Sequence, residues 1–337
     1  MTVEHPFAQY VRILGKGRKG SRSYTYEEAL AAMGMILRGE VEDVQLGAVM
    51  MLLRVKEENG DELAGFAQAT KDFMASNIPV GLSADVDWSS YAGKRRQLPW
   101  YLLAALALAD NGIRVFMHGA EGHTEGRIYT SEVLTQLGIP LANTWQQAQS
   151  QLDAQHFCYM GMAQLCPELQ RIIDLRNTFG LRSPVHSFAR LLNPLNAPFV
   201  TQGIFHPGYG PSHQSSANKL GYQRLSILKG EGGECEANPD AVFKMHHCFN
   251  GDLIEEEWPP MFERRHVKPA ELPLSHLNQL WHNQLTDDEN REYALGAVLG
   301  TLAYVARLMG KGQSQSECLA QAQTWWDNRN PERLARR

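Results

Sequence analysis

Three cations in succession, Lys94, Arg95 and Arg96, follow Gly93. The segment before them, Ala84 to Trp88, alternates as a strand does, and Trp100 to Ala109 after them is an apolar run that reads as a buried helix. A strand, a loop and a helix start are where an α/β protein holds an anion, because the first N–H groups of a helix lack partners within it. The chemistry expected is phosphate binding, with a solvated basic turn as the plain alternative. A second basic loop, Gly15-Lys16-Gly17-Arg18-Lys19-Gly20-Ser21-Arg22, holds four cations and three glycines. Glycine allows close backbone approach and cations suit a phosphate chain.

The net charge is -5 over 337 residues, which by itself argues against a nucleic-acid partner. The charge is uneven, however. Tyr91 to Lys229 carries 12 Lys/Arg against 7 Asp/Glu, and Gly230 to Leu280 carries 4 against 10. A binding face is local, so this asymmetry says more about partners than the total does. Five scattered cysteines, an odd number, predict reduced thiols and a cytoplasmic location. No apolar stretch reaches the roughly 18 residues of a membrane span, and Met1 to Pro6 does not read as a signal peptide.

Helices position the first loop. Pro6–Leu14 reads as a short amphipathic helix, Thr25 caps a second with Glu28 at capping-box spacing, and Gln45–Val55 and Asp61–Met74 follow. From Ala84 the pattern changes. Candidate strands Asp85–Ser89, Ile113–Met117, Phe157–Met160, Phe199–Ile204 and Leu225–Leu228 alternate with helical runs, which implies an α/β unit with a mostly parallel sheet. Asn250-Gly251 joins two further strands as a hairpin. Asp287–Met309 reads as an apolar helix packed on the sheet, and Arg329–Arg337 as a loose basic tail. Of Trp325 and Trp326, helical spacing puts one in the core. His246 and His247 fall on opposite strand faces, which argues against a metal site.

Arg38-Gly39-Glu40-Val41, Leu46-Gly47-Ala48, Leu53-Arg54-Val55-Lys56, Met117-His118-Gly119, Leu134 to Ile139, Leu191-Leu192-Asn193-Pro194 and Leu220 to Arg224 together resemble anthranilate phosphoribosyltransferase, in register from about Phe7 to Glu257. The resemblance implies a small helical N-terminal domain over 1–78 that borrows a segment near 166–192, an α/β domain over 79–165 and 193–325, a tail from 326, and a homodimer through the helices. It also implies a site. The enzyme's Gly-Thr-Gly-Gly-Asp loop, which wraps the diphosphate of phosphoribosyl diphosphate, is replaced by Ser90-Tyr91-Ala92-Gly93-Lys94, with the bulk of Tyr91 in the way. The enzyme's Lys and Asn-Arg flanking His-Gly become Met117 and Ala120-Glu121 around His118-Gly119. Its magnesium-holding Asp-Glu becomes Glu234-Cys235, which leaves Glu234 as a weak metal ligand.

This pattern resembles the YbiB-type branch of the superfamily, which keeps the transferase fold and binds nucleic acid without sequence preference. The cations Lys16, Arg18, Lys19, Arg22, Lys94, Arg95, Arg96, Arg171, Arg176, Arg182, Lys219 and Arg224 are retained, with Gly93 beside them and Arg171 and Arg176 in one helical segment near the implied hinge. The reading that follows is a non-catalytic, cofactor-free protein that binds single- or double-stranded DNA or RNA through its backbone. The alternative is a magnesium-dependent transfer of phosphoribose to an aromatic amine.

Overall fold

The computed structural model describes residues 3–336 apart from residues 18, 121 and 123, and apart from the side chain of residue 289. Four helices come first: α1 (Ala8–Gly15), α2 (Tyr26–Leu37), α3 (Asp43–Lys56) and α4 (Gly60–Met74). Thr25 and Glu28 close the capping box expected at the start of α2, and Asn59 and Glu62 close another on α4. Glu62 is fully buried because it also takes the Lys56 ammonium at 2.7 Å and the Tyr24 backbone N–H at 2.9 Å.

The sheet has seven strands in the order β3-β2-β1-β4-β5-β6-β7. They are β1 (Val86–Ser90), β2 (Val115–Gly119), β3 (Phe157–Gly161), β4 (Phe199–Ile204), β5 (Arg224–Lys229), β6 (Phe243–Phe249) and β7 (Asp252–Trp258). β1 to β5 run parallel, and β6 and β7 are antiparallel. The helical unit and the mostly parallel sheet are those expected from the sequence. Asn250 and Gly251 both take positive φ, at 52° and 94°, as a two-residue hairpin turn of the mirror-image type requires.

Alternation along the strands divides the core. Val86, Trp88, Val115, Met117, Phe157 and Tyr159 face one layer with α5 (Tyr101–Asp110). Phe116, Cys158, Met160, Leu225 and Ile227 face the other, which is continuous with the apolar faces of α1 to α4. Helices α6 (Thr130–Leu137) and α7 (Trp145–Gln155) complete the β2 to β3 crossover. Short helices α8 (Met162–Leu165), α9 (Pro167–Asp174), α10 (Arg176–Phe179) and α11 (Val185–Phe188) lead back to β4. Leu169, Ile172, Ile173, Val185 and Phe188 from this stretch pack into the same core as the N-terminal helices. α12 (Gly210–Lys219) joins β4 to β5 and lies on α4, while α13 (Ser275–Trp281), α14 (Asp288–Leu308) and α15 (Gln315–Asp327) follow the hairpin. Among the described residues no helix is long and apolar enough to cross a membrane.

Three expectations are corrected. Arg171 and Arg176 stand on separate helices, α9 and α10, with Leu175 between. Trp325 and Trp326 are both buried, since α15 is covered by α5, α14 and the chain end. That end is not loose: Arg329 stacks on the Trp326 ring at 3.8 Å, and Arg333 pairs with Asp110 at 2.5 Å.

Candidate functional site

β1 lies between β2 and β4, so the strand order reverses at its C-terminal end, where an open parallel sheet takes its ligands. Four segments meet there. They are the loop 90–96 after β1, His118 and Gly119 at the end of β2, Phe205 after β4, and a strap, 230–236, after β5. Close backbone approach needs glycine at two points. A Cβ on Gly119 would lie 1.8 Å from the Ser90 carbonyl oxygen, and one on Gly203 would lie 2.3 Å from the Glu234 carbonyl carbon.

The anion that the loop holds is its own chain. Glu234 Oε1 accepts from the Ala92 and Gly93 backbone N–H groups at 2.5 and 2.6 Å, and Oε2 accepts from Ser90 Oγ at 2.9 Å. Glu231 Oε1 accepts from the Arg95 and Arg96 N–H groups at 3.0 and 2.6 Å. Glu236 Oε2 accepts from the Tyr101 N–H, at the start of α5, at 2.8 Å. Lys94 turns inward, 1% exposed, and its Nζ lies 2.6 Å from Glu236 and 3.1 Å from Glu231. Burial alone would lower the Lys94 ammonium, but the two glutamates outweigh it and hold its pKa above the ordinary lysine range. The basic and acidic stretches of the sequence thus partly neutralise each other.

The predicted residues divide accordingly. Lys94 is corrected from a surface contact to a buried partner of the strap, because its ammonium completes the loop–strap contact from beneath. Gly93, at φ 67°, donates its N–H to Glu234. Tyr91 is also corrected. It does not obstruct the loop face but points inward at 2% exposure, with its hydroxyl 2.6 Å from His118 Nδ1. His118 Nε2 lies 3.2 Å from Asp87, so histidine, tyrosine and aspartate form a buried polar string. Arg22 pairs with Glu28 at 2.6 Å, Lys219 with Asp61 at 2.5 Å, and Arg171 with Asp43 at 3.4 Å. Arg224 packs on the Phe249 ring at 4.0 Å and donates to the Leu308 carbonyl. Lys16, Lys19, Arg95 and Arg96 are exposed and form no ion pair among the described residues. Arg18 lies outside the described residues, as does Glu121. Among the described residues, the Arg22 N–H bonds Ile13 and Gly15 approaches Leu52, both contacts within the loop's own helical unit.

Sequence reading missed Arg127 and Arg190, and the roles of Glu231 and Glu236. Arg127 donates to the Ala92 carbonyl at 2.7 Å, and Arg190 donates to the carbonyls of Gly233 and Gly203 at 2.8 and 3.2 Å. With Arg176 and Arg182 they form one arginine cluster, which reaches the strap through Arg127 at Gly232 and Arg190 at Gly233; this is the side of the implied hinge. Burial, then Arg127, Arg190 and Arg176, bring the Arg182 guanidinium down to about 10. Three like charges beside the partly buried Arg182 guanidinium disfavour its charge, so this side is suited to an anion. A signal for the strap did exist: Glu231, Glu234 and Glu236 lie in a glycine-flanked loop directly after a strand.

Residues 9–74 match the model of the glycosyl transferase family helical bundle domain. The chain is 27% identical over 270 residues to the Escherichia coli (strain K12) protein YbiB, covering 79% of this chain and 82% of that one. It is 26% identical over 242 residues to anthranilate phosphoribosyltransferase 1 of Ralstonia nicotianae, covering 71% and 70%. The anthranilate phosphoribosyltransferase of Thermus thermophilus superposes with a TM-score of 0.77 at 20% identity, over 94% of each chain. The chain has the fold of the anthranilate phosphoribosyltransferase-like superfamily. The Saccharomyces cerevisiae enzyme of that name, solved with PRPP and Mg, superposes at 0.78 with 15% identity, over 98% of this chain and 96% of that one.

Phosphoribosyl diphosphate and magnesium are the groups this superfamily implies, and the residues here do not fit them. The backbone donors that would face a diphosphate are already bonded to Glu231, Glu234 and Glu236. Glu234, the weak metal candidate, has both oxygens engaged by loop donors, which is the opposite of an available ligand. Among the described residues no three His, Cys, Asp or Glu side chains are grouped to hold a metal ion.

Proposed function

We propose that this chain is a non-catalytic nucleic-acid-binding protein that grips the phosphate backbone of DNA or RNA, single- or double-stranded, without reading sequence. The single observation that supports it is the loop–strap contact. The amides that would wrap a small diphosphate are committed internally, while the Arg95 and Arg96 side chains on the same loop project outward without ion-pair partners. Cations that stay unpaired at the mouth of a closed site suit an extended polyanion, whose binding comes from phosphate contacts and counterion release.

The homodimer belongs to the same proposal. Val44 and Val55 on α3 are 81% and 85% exposed, which leaves apolar area for a second copy.

One observation favours the alternative, phosphoribosyl transfer to an aromatic amine. The arginines 127, 176, 182 and 190 could hold an acidic acceptor on the hinge side of the strap. Two measurements separate the readings. Fluorescence anisotropy with an oligonucleotide and its scrambled control, at two salt concentrations, is expected to give equal affinities and a steep salt dependence. Anthranilate fluorescence with phosphoribosyl diphosphate and magnesium is expected to stay constant. Clear turnover would overturn the non-catalytic reading.

A further inference from the structure

A cleft of about 370 Å³ opens on the outer face of the strap, between the ends of β4 and β5, the start of β6 and the loop 261–268. None of arginines 127, 176, 182 and 190 lines it, so it is separate from the hinge side. Its size falls within the roughly 300–1,000 Å³ of small-ligand sites.

Its charges are unequal in availability. Every carboxylate on its wall is already used: Glu231 and Glu236 by Lys94 and backbone amides, and Asp240 by His266 at 2.7 Å. The cations Arg96, Lys229, Arg265 and Lys268 are exposed and form no ion pair among the described residues. What the cleft offers a ligand is therefore positive charge.

The rest of the wall is neither phosphate-like nor greasy throughout. Leu228, Ala237 and Phe243 make an apolar floor, and Phe205 stands 55% exposed at the lip. The Gln97 amide and the Tyr293 hydroxyl line it at 8% exposure each, and neither hydrogen-bonds another described residue. An exposed aromatic ring, an apolar floor, an unpartnered amide and a ring of unpaired cations are complementary to one chemistry: a flat heteroaromatic base carrying a phosphate.

We infer that this cleft is a nucleotide site, with the base against Phe205 and the apolar floor, Gln97 at the base edge, and the phosphate on the cations. The ligand comes either as a free nucleotide or as one unstacked residue of a single strand. A duplex keeps its bases stacked and cannot present one without breaking pairs.

The test uses the whole chain. Calorimetric titration with adenosine monophosphate is expected to give binding at least about tenfold tighter than inorganic phosphate or adenosine alone. Phe205→Ala, at an exposed position, is expected to weaken adenosine monophosphate by about fivefold or more, as a lost stacking partner does, and to leave phosphate binding and the melting temperature unchanged. Anisotropy with a single-stranded oligonucleotide separates the sources. A parallel loss in Phe205→Ala assigns the cleft to the strand, and an unchanged strand affinity assigns it to the free nucleotide. Adenosine monophosphate binding no tighter than phosphate, or indifferent to Phe205, would overturn the inference. Failure of all oligonucleotides with adenosine monophosphate still bound would remove the backbone-binding reading and leave the nucleotide site standing. Salt-sensitive duplex binding with no nucleotide bound would do the reverse.

Discussion

Glu234 Oε1 lies 2.6 Å from the backbone nitrogen of Gly93, in the position an anionic ligand of the loop would occupy. The same carboxylate holds Ala92 and Ser90, so one buried side chain satisfies three donors of the loop at the end of β1. Glu231 and Glu236 extend this to Arg95, Arg96 and the first residue of α5. A tethered carboxylate has already lost its translational freedom on folding, so a free diphosphate competing for these amides must also open the strap.

Removing Glu234 should therefore uncover an anion site. Glu234→Ala leaves the buried Ala92 and Gly93 N–H groups without an acceptor, each costing about 1–3 kcal/mol, so the melting temperature should fall. Inorganic pyrophosphate should then restore part of it, because a ligand that binds only the folded state stabilises that state. The wild-type protein should show a clearly smaller response in differential scanning fluorimetry, limited to what its exposed cations bind. A wild-type shift as large as the variant's would mean that the strap does not occupy the site.

Lys94→Ala should damage the fold rather than a surface. The ammonium is buried between Glu236 and Glu231. Breaking a buried pair from one side leaves uncompensated charge and costs about 3–5 kcal/mol. Urea unfolding measures this directly, and Lys94→Met with Glu236→Gln should recover most of the loss. A single-variant cost below about 1 kcal/mol would place Lys94 with ordinary surface charges.

The layers were legible in the sequence because period and punctuation announced them: the Thr25–Glu28 box, the Asn250-Gly251 turn and the apolar run into α5 all have local causes. The loop after β1 was legible as an anion site for the same reason, since a strand end and a helix start are local features. Its occupant was not. Glu234 lies 141 residues beyond Gly93 in sequence, and nothing local says that the two meet. The uneven charge was read as a binding face, yet Lys94 and Glu236 show part of it to be an internal ion pair. Arg333 at Asp110 is a second case, where a tail that reads as loose by composition is docked by one long-range contact.

Acid should weaken the β6–β7 edge through Glu256. Burial alone would raise this carboxyl, but His247, Trp258 and Arg307 outweigh it and bring its pKa down to about 2, from an ordinary value of 4.5. A group whose folded pKa is depressed stabilises fully above its unfolded value, and that contribution fades as pH falls toward the folded value. The difference in melting temperature between wild type and Glu256→Gln should hold constant above about pH 5 and shrink progressively between about 4.5 and 2. A difference independent of pH over that window would show that the carboxylate's charge is not what holds the edge.

Arg95 and Arg96 supply the sharpest test of backbone binding. Their side chains leave the loop on its exposed side, and their backbone N–H groups are fixed by Glu231, so substitution changes charge without changing the loop's shape. Arg95→Ala with Arg96→Ala should lower the log–log salt slope by about one to two units, since each phosphate contact contributes roughly 0.9 for duplex and 0.7 for single strands. Stability should change by less than about 1 kcal/mol, as for other exposed charges. Lys311→Ala is the control. It is exposed just after α14, next to Gly310, which faces Arg224 at the opposite end of β5 from the strap. Equal loss of slope in the control would reduce the interaction to diffuse attraction and leave the loop with no special part in it.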